Sequence, residues 1–167
     1  VASWEIQYLG LDIAVLGEDS ILSAPTRVGR LPASSDFATA LAAWALDRHG
    51  VEVDLQAVST NWRKQLLLSN REYTAMQEIL LLHEKLVAWE TLGIAKQKRL
   101  ASAIRFPNAL AILQAEDRPA FVLLKQAIAK LLPSGLAPDP LVTGDDLIAS
   151  GMRQSTAIGT ILDAVYD

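Results

Sequence analysis

Apolar residues recur every three or four positions along most of this chain, in runs of helical length that glycine and proline interrupt. The longest such stripe consists of Tyr73, Met76, Ile79, Leu80, His83 and Val87. The sequence has neither the apolar–polar alternation that predicts a β-strand nor a repeat at the periods of solenoid proteins. Side chains patterned in this way are buried by packing helices on helices. We therefore predict an all-α fold, a helical bundle.

Capping and breaking residues divide the chain into a helical body, residues 1–135, and a tail, residues 136–167. Residues 1–33 contain several glycines and prolines and predict an irregular first segment with at most one or two short helices. The helices predicted beyond it begin at 34–36, Asp54, Asn70, Lys96 and Pro119, and the fourth of them ends at Pro107. A further short helix is predicted to carry Leu110 and Leu113. The stretch 134–140 is rich in breakers and predicts the joint to the tail.

The tail carries the signals of two short helices joined by a tight turn. Thr143, with Asp146 three residues later, is a capping-box pattern for the first helix, and Gly151 is a typical left-handed stop at its end. The second helix is predicted to start near Ser155 or Thr156, whose hydroxyl groups can accept hydrogen bonds from free backbone N–H groups. We therefore predict a C-terminal helical hairpin.

The start of the second tail helix is a candidate phosphate site. Its free N–H groups and the positive end of its dipole attract anions, and Arg153 lies just ahead of it. A hairpin that only closes the hydrophobic core explains the same spacing equally well, so both interpretations stay open.

Composition excludes several classes of function. The chain has 167 residues and no cysteine, so disulfides, thiolate nucleophiles and thiolate metal sites are excluded, and a reducing compartment such as the cytoplasm is predicted. No apolar run reaches the roughly 18 residues that span a bilayer, so we expect no membrane partner. The first residue is Val1 rather than methionine, and we expect the chain to be a fragment of a longer protein.

The tail motif resembles the C-terminal signature of the bacterial CCA-adding tRNA nucleotidyltransferase and poly(A) polymerase family. The matching residues are Thr143-Gly144, Asp146-Leu147-Ile148, Gly151, Ile158-Gly159 and Ile161-Leu162. The chain departs from the family where Gln154-Ser155-Thr156 replaces a Pro-Gly-Pro sequence, which keeps a capping hydroxyl but loses the rigid proline. A second segment, 66–72, is similar to the family's L-x-L-S-N-x-E motif and contains a capping-box pattern of Ser69 and Glu72.

The helix predicted over residues 41–50 resembles the helix that carries the histidine-aspartate dyad of metal-binding HD-type domains. Here Leu46 and Asp47 stand where that dyad has its histidine and aspartate, so the metal-binding imidazole is missing. The resemblance implies a degenerate HD-like helical body without a metal site. Asp47 is then expected to be a surface or capping carboxylate, His49 a structural residue at a helix end, and His83 a hydrogen-bonded core residue.

The resemblance implies that this chain is the body and tail of a tRNA nucleotidyltransferase or poly(A) polymerase-like enzyme. In that family these regions hold the tRNA acceptor arm while an N-terminal head adds nucleotides to the 3′ end. The expected partners are thus tRNA and the N-terminal catalytic head of the same polypeptide. We expect no catalytic residue here, because Glu52 and Asp54 have the spacing of paired metal carboxylates but lack the strand and glycine motif of such a site. Mg²⁺ and ATP or CTP are expected only in the full-length parent.

The candidate RNA-binding residues are basic side chains that could contact phosphates and two hydroxyls of the hairpin. They are Arg63, Lys64 and Arg71 at one helix junction, Lys96, Lys98, Arg99 and Arg105 along a second segment, and Arg153, Ser155 and Thr156 in the tail. A solvated helix face explains each cluster equally well. Because the net charge is −4, any RNA contact must rest on a local patch, and binding by this chain alone should weaken readily with salt.

Two other functions stay open. A helix-hairpin-helix module would present the amides of a glycine turn to nucleic acid, and the tail could do the same. The chain could also be a structural or oligomerisation domain that does not bind RNA, and its net charge of −4 agrees with this alternative. The tryptophans fall near apolar stripes and are expected to anchor the core rather than to stack on bases; they are Trp4, Trp44, Trp62 and Trp89.

Overall fold

The computed structural model describes residues 5–6, 8–19, 26–51, 53–131, 135, 142–153 and 155–166. Within these residues every regular element is a helix and no strand occurs, which confirms the predicted all-α fold. None of the described helices is both long enough and apolar enough to cross a bilayer. The predictions for Trp4, for Glu52 and for most of the joint at 134–140 fall outside the described residues.

The described α-helices are labelled in chain order. They are α1 (Leu11–Leu16), α2 (Thr26–Arg30), α3 (Phe37–His49), α4 (Leu55–Gln65), α5 (Asn70–Val87), α6 (Ile94–Ala101), α7 (Phe106–Glu116), α8 (Arg118–Leu131), α9 (Gly144–Ala149) and α10 (Thr156–Tyr166), and a 3₁₀ turn (Trp89–Thr91) follows α5. Helix α2 lies in the segment that we predicted to be irregular. Pro107, predicted to end a helix, lies instead in the first turn of α7, where its missing N–H breaks no intrahelical bond.

Side chains cap the starts of the three central helices, as the sequence predicted. Asp36 caps α3 and Asp54 caps α4. Ser69 begins α5 in a capping box, in which the Ser69 N–H donates to Glu72 Oε2 (2.8 Å) and the Glu72 N–H donates to Ser69 Oγ (3.3 Å). Such caps satisfy N–H groups that the first helical turn leaves free, so local sequence determines where these helices begin.

Helix α5 is at the centre of the bundle, and α3, α4 and α7 all pack against it. Its buried face carries Met76, Ile79 and Leu80. The three tryptophans that the structure describes, Trp44, Trp62 and Trp89, are buried as predicted. The ring centroids of Trp44 and Trp62 lie 5.1 Å apart, which joins α3 to α4 through an aromatic contact.

Three apolar side chains that helical spacing predicted to be buried are exposed. They are Phe37, Val87 and Ile104. Each lies at or beyond the end of a helix: Phe37 is the first residue of α3, Val87 is the last of α5, and Ile104 follows α6. At such positions the next turn of the helix is missing, so the periodic pattern no longer places the side chain over a neighbouring helix.

A buried charged cluster attaches α1 to the body. The guanidinium of Arg48 in α3 is fully buried and forms an ion pair with the buried carboxylate of Asp12 in α1. Arg48 Nε also donates to Glu18 Oε2 (3.2 Å) and its Nη2 donates to the Asp19 carbonyl (3.1 Å). Glu18 Oε1 accepts a further hydrogen bond from Trp62 Nε1 (2.6 Å). Because buried charges require such partners, the cluster ties the first described helix to α3 and α4.

The tail contains the predicted hairpin, in which α9 and α10 pack against each other. The Thr143 N–H donates to Asp146 Oδ2 (2.8 Å), and the Asp146 N–H donates to Thr143 Oγ1 (3.2 Å), so the capping box is present. Helix α9 ends in a Schellman turn, in which the Met152 N–H donates to the Leu147 carbonyl (3.0 Å). Gly151 has a φ of 100°, a conformation that favours glycine.

We predict that Arg48→Met lowers the free energy of unfolding by about 3 kcal/mol, because it leaves the fully buried carboxylate of Asp12 without its charge partner. Urea unfolding measures the loss, and Arg30→Met, at an exposed arginine of α2, is the control. The double variant Asp12→Leu/Arg48→Met should recover part of the loss. A single variant as stable as the wild type would show that the cluster does not hold α1.

Candidate nucleic-acid interface

The turn between α4 and α5 is fixed by hydrogen bonds on both sides; we call residues 63–72 the junction. At the end of α4 the Leu68 N–H donates to the Arg63 carbonyl (3.1 Å). This bond spans Leu67, whose φ of 52° lies in the left-handed region. The capping box of Ser69 then begins α5 without an intervening loop. Because hydrogen bonds close the backbone at both helix ends, the turn has little conformational freedom.

A cavity of about 460 Å³ opens at the α4 side of the junction. It is lined by Thr60, Arg63, Lys64, Leu67 and Leu68. The guanidinium of Arg63 lies over the ring of Tyr73, 4.7 Å from its centroid, and donates to Asn70 Oδ1 (2.6 Å). Lys64 is exposed and has no acidic partner in the part of the chain that the structure describes. The cavity therefore presents one oriented guanidinium and one ammonium group to solvent.

A second cavity, of about 280 Å³, has a lining that includes Ser69, the basic residues Arg71 and Arg105, and the acidic residues Asp36 and Glu72. Arg71 is exposed and, among the described residues, forms no ion pair with a carboxylate. Arg105 is engaged already: its Nη1 lies 3.2 Å from Asp36 Oδ2. Burial opposes ionisation of Asp36, but hydrogen bonds from its helix cap and the charge of Arg105 outweigh burial and lower the pKa of Asp36.

The remaining predicted RNA-binding residues lie on other elements. Lys96 and Arg99 are exposed on α6, and Lys98 on the same helix is half-buried. Arg153 and Ser155 are exposed in the turn between α9 and α10. The side chain of Thr156 falls outside the described part of the structure. The fold thus brings Arg63, Lys64, Arg71 and Arg105 to two neighbouring cavities and leaves the α6 and tail residues apart from them.

A second charged cluster lies where the HD-like resemblance expects the dyad. Asp47 caps α2: its Oδ1 accepts from the Arg27 N–H (3.0 Å) and its Oδ2 accepts from the Val28 N–H (3.1 Å). Its side chain is only 3% exposed. The expected capping role is therefore confirmed, whereas the alternative of a surface carboxylate is wrong. The physical reason is α2, a helix that the sequence did not reveal and that covers Asp47.

Arg27 and Glu116 extend this cluster to His83. Arg27 Nη1 lies 3.3 Å from Asp47 Oδ1, and Arg27 Nη2 lies 2.6 Å from Glu116 Oε1. The other oxygen of Glu116 is 2.8 Å from His83 Nε2. The hydrogen bond from His83 and the hydrogen bond and charge of Arg27 outweigh burial and lower the pKa of Glu116 to about 2. Glu116 is thus ionised at neutral pH, His83 Nε2 donates to it, and His83 is the hydrogen-bonded core residue that we predicted.

Sequence reasoning missed Arg27 and Glu116. Arg27 lies in a segment without helical periodicity, and the only signal for Glu116 is that it is the first of two acids after the apolar run of α7. Within the described residues, no three His, Asp or Glu side chains converge as metal ligands. The guanidinium of Arg27 lies between the two carboxylates and forms an ion pair with each of them. His49 has a structural role, as predicted: its Nε2 lies 3.1 Å from Glu18 Oε2.

No protein-family model, curated protein or solved structure matches this chain. Its membership of the nucleotidyltransferase family therefore stays a prediction that rests on the motifs at 66–72 and 143–162. What the chain binds must be inferred from its own surfaces.

We predict that Glu116→Gln lowers the free energy of unfolding at pH 7 by about 2 kcal/mol, because Arg27 and His83 lose an ionised acceptor. Folding lowers the pKa of Glu116 from 4.5 to about 2. Its contribution is therefore fully present above the unfolded value and is lost as the pH falls through the folded one. The difference between wild type and variant should shrink below pH 4.5.

Urea unfolding at a series of pH values tests this dependence. Glu90→Gln, at an exposed carboxylate of the 3₁₀ turn, is the matched control and should change stability little at any pH. A difference between wild type and Glu116→Gln that stays constant from neutral to acid pH would contradict the role given to Glu116.

Proposed function

We propose that this chain is an RNA-binding helical module that holds the acceptor arm of a tRNA while an N-terminal head of the same polypeptide adds nucleotides to the 3′ end. The chain itself carries no catalytic residue in this proposal. Its parent would be a tRNA nucleotidyltransferase or a poly(A) polymerase-like enzyme, and Mg²⁺ and ATP or CTP would bind to the head. A cytoplasmic location is part of the proposal and agrees with the lack of cysteine.

The observation that carries the proposal is the group of basic side chains in the lining of the two cavities at and beside the junction. Arg63 and Lys64 line the first cavity, and Arg71 and Arg105 line the second. Arginine and lysine side chains make most of the phosphate contacts in complexes with nucleic acids. Three of them lie in the junction and Arg105 lines the second cavity, so together they can contact neighbouring phosphates without reading bases. This arrangement suits recognition of an RNA helix by its shape and backbone.

The negative net charge of the chain limits how strongly this surface can bind RNA. The net charge is −4, so these basic side chains belong to a molecule that repels polyanions overall, and Asp36 and Glu72 line the second cavity beside them. Arg105 must also share its charge between any phosphate and Asp36. Binding by this chain alone should therefore be weak, and most of the affinity of the parent would require the head.

A structural domain without RNA binding is the second candidate. The observation that favours it is the ion pairing of Arg105, which lies within 4 Å of the carboxylates of both Asp36 and Glu78. If all the basic side chains are similarly satisfied by protein groups, the surface needs no polyanion.

We predict that the chain binds full-length tRNA with a Kd in the range of tens of micromolar at low salt, and that affinity falls at least about tenfold when salt is raised from about 50 to 200 mM. Fluorescence anisotropy with labelled tRNA measures both values. A DNA duplex with the same number of phosphates is the comparison. If the DNA duplex binds as tightly as tRNA, a helix-hairpin-helix module in the tail is favoured. If neither nucleic acid binds, the proposal is contradicted and the structural domain without RNA binding is favoured.

We predict that Lys64→Glu/Arg71→Glu weakens tRNA binding at least about tenfold, because both reversals place negative charge where phosphates bind. The matched control is Lys85→Glu/Arg118→Glu, which makes the same change of charge at exposed residues of α5 and α8 outside the two cavities. Equal losses in the two double variants would contradict a site at the junction, since they would reflect net charge alone.

A further inference from the structure

Leu67 combines backbone strain with an exposed side chain. It is the one residue other than glycine with a positive φ among those that the structure describes, and its side chain is 87% exposed. The left-handed conformation costs an L-residue with a Cβ free energy, and glycine or asparagine would adopt it at less cost. A leucine here gains nothing from burial to offset the strain. Its apolar side chain therefore contributes little to packing within the described bundle.

The surroundings of Leu67 hold it in a fixed position. The preceding helix end and the following capping box close the backbone on either side. Leu68, the next residue, is buried and anchors the turn to the bundle. Leu67 therefore projects from a rigid base, and an outlier that the fold maintains in this way is evidence for a function of the side chain.

The groups next to Leu67 belong to the surface that binds RNA in the proposed function. Leu67 lines the same cavity as Arg63 and Lys64, and Arg71 lines the second cavity, which Ser69 also lines. A protruding apolar side chain lies here beside an oriented guanidinium and an ammonium group. This arrangement matches one feature of nucleic acids, a base face exposed beside the phosphates of its own strand. Leucine is among the side chains that proteins insert against bases, and it gains free energy there by excluding water.

We propose that Leu67 packs against an exposed base face at the open end of an RNA helix, or at an unpaired nucleotide next to it, while Arg63 and Lys64 contact the adjoining phosphates. This inference rests on the proposed function because it specifies the ligand of the same surface. The ligand class is RNA with a helix end or a single-stranded 3′ extension, in preference to continuous duplex. The specificity comes from Leu67, and the sequence-independent affinity comes from the cations.

The experiment compares three RNA competitors at equal phosphate concentration: one long duplex, the same duplex cut into short pieces, and the short pieces with a single-stranded 3′ extension. Each displaces labelled tRNA from the full chain. The cut duplex and the extended pieces should compete about fivefold better than the long duplex, because they offer more open ends for the same charge.

Leu67→Asn is the test variant, since asparagine tolerates the left-handed conformation but lacks an apolar side chain. It should lose the preference for ends while it keeps the affinity for the long duplex, and Leu67→Gly should behave in the same way. Leu81→Asn, at a partly exposed leucine of α5, is the matched control and should keep the preference. Thermal melting of all three variants checks that they fold, and Leu67→Gly should melt no lower than the wild type.

Two results would overturn the inference, and they are distinguishable. If the wild type binds tRNA but Leu67→Asn keeps the full preference for ends, or if the wild type has no such preference, the role of Leu67 is wrong and the proposed function still stands. If the wild type binds none of the three RNAs at any salt concentration, the proposed function fails and this inference fails with it.

Discussion

The backbone of the α4–α5 turn is the constraint on which the candidate interface depends. The hydrogen bond from the Leu68 N–H to the Arg63 carbonyl closes α4, and the capping box of Ser69 opens α5. Because these bonds fix the turn, they also fix where the side chains of Arg63, Lys64 and Arg71 leave the bundle. Cations held in this way lose less conformational entropy on binding a phosphate than cations on a mobile loop.

Buried charge supports that turn from inside the bundle. Trp62 links the buried charged cluster to the end of α4. Its indole N–H donates to Glu18 Oε1 (2.6 Å), and its carbonyl accepts from the Leu66 N–H (2.8 Å). Glu18 in turn binds Arg48 of the cluster that ties α1 to the body. A buried ion pair adds little net stability compared with apolar packing, but the loss of one partner is costly. The early segments, whose helical pattern is weak, are attached through these specific pairs of charges as well as through apolar side chains such as the fully buried Leu16.

Local features of this fold could be predicted from the sequence, and long-range ones could not. The capping boxes of Ser69 and Thr143 involve partners three residues away, so their spacing alone predicted them correctly. The buried, hydrogen-bonded His83 was predicted from its place on an apolar stripe. Arg27 and Glu116 were missed because they are 89 positions apart in the chain and nothing in the local sequence of either residue indicates the other. The clustering of basic residues at the junction was predicted only in part, since the position of Arg105 depends on how α7 packs.

The most direct test of the central claim is a map of the amide chemical-shift changes that an RNA hairpin with the acceptor-stem sequence causes in this chain. The account predicts that the changes cluster at residues 60–72, with smaller changes around Phe37 and Arg105, and that they disappear at high salt. Changes confined to 94–99 and 153–158, or no changes at low salt, would contradict it.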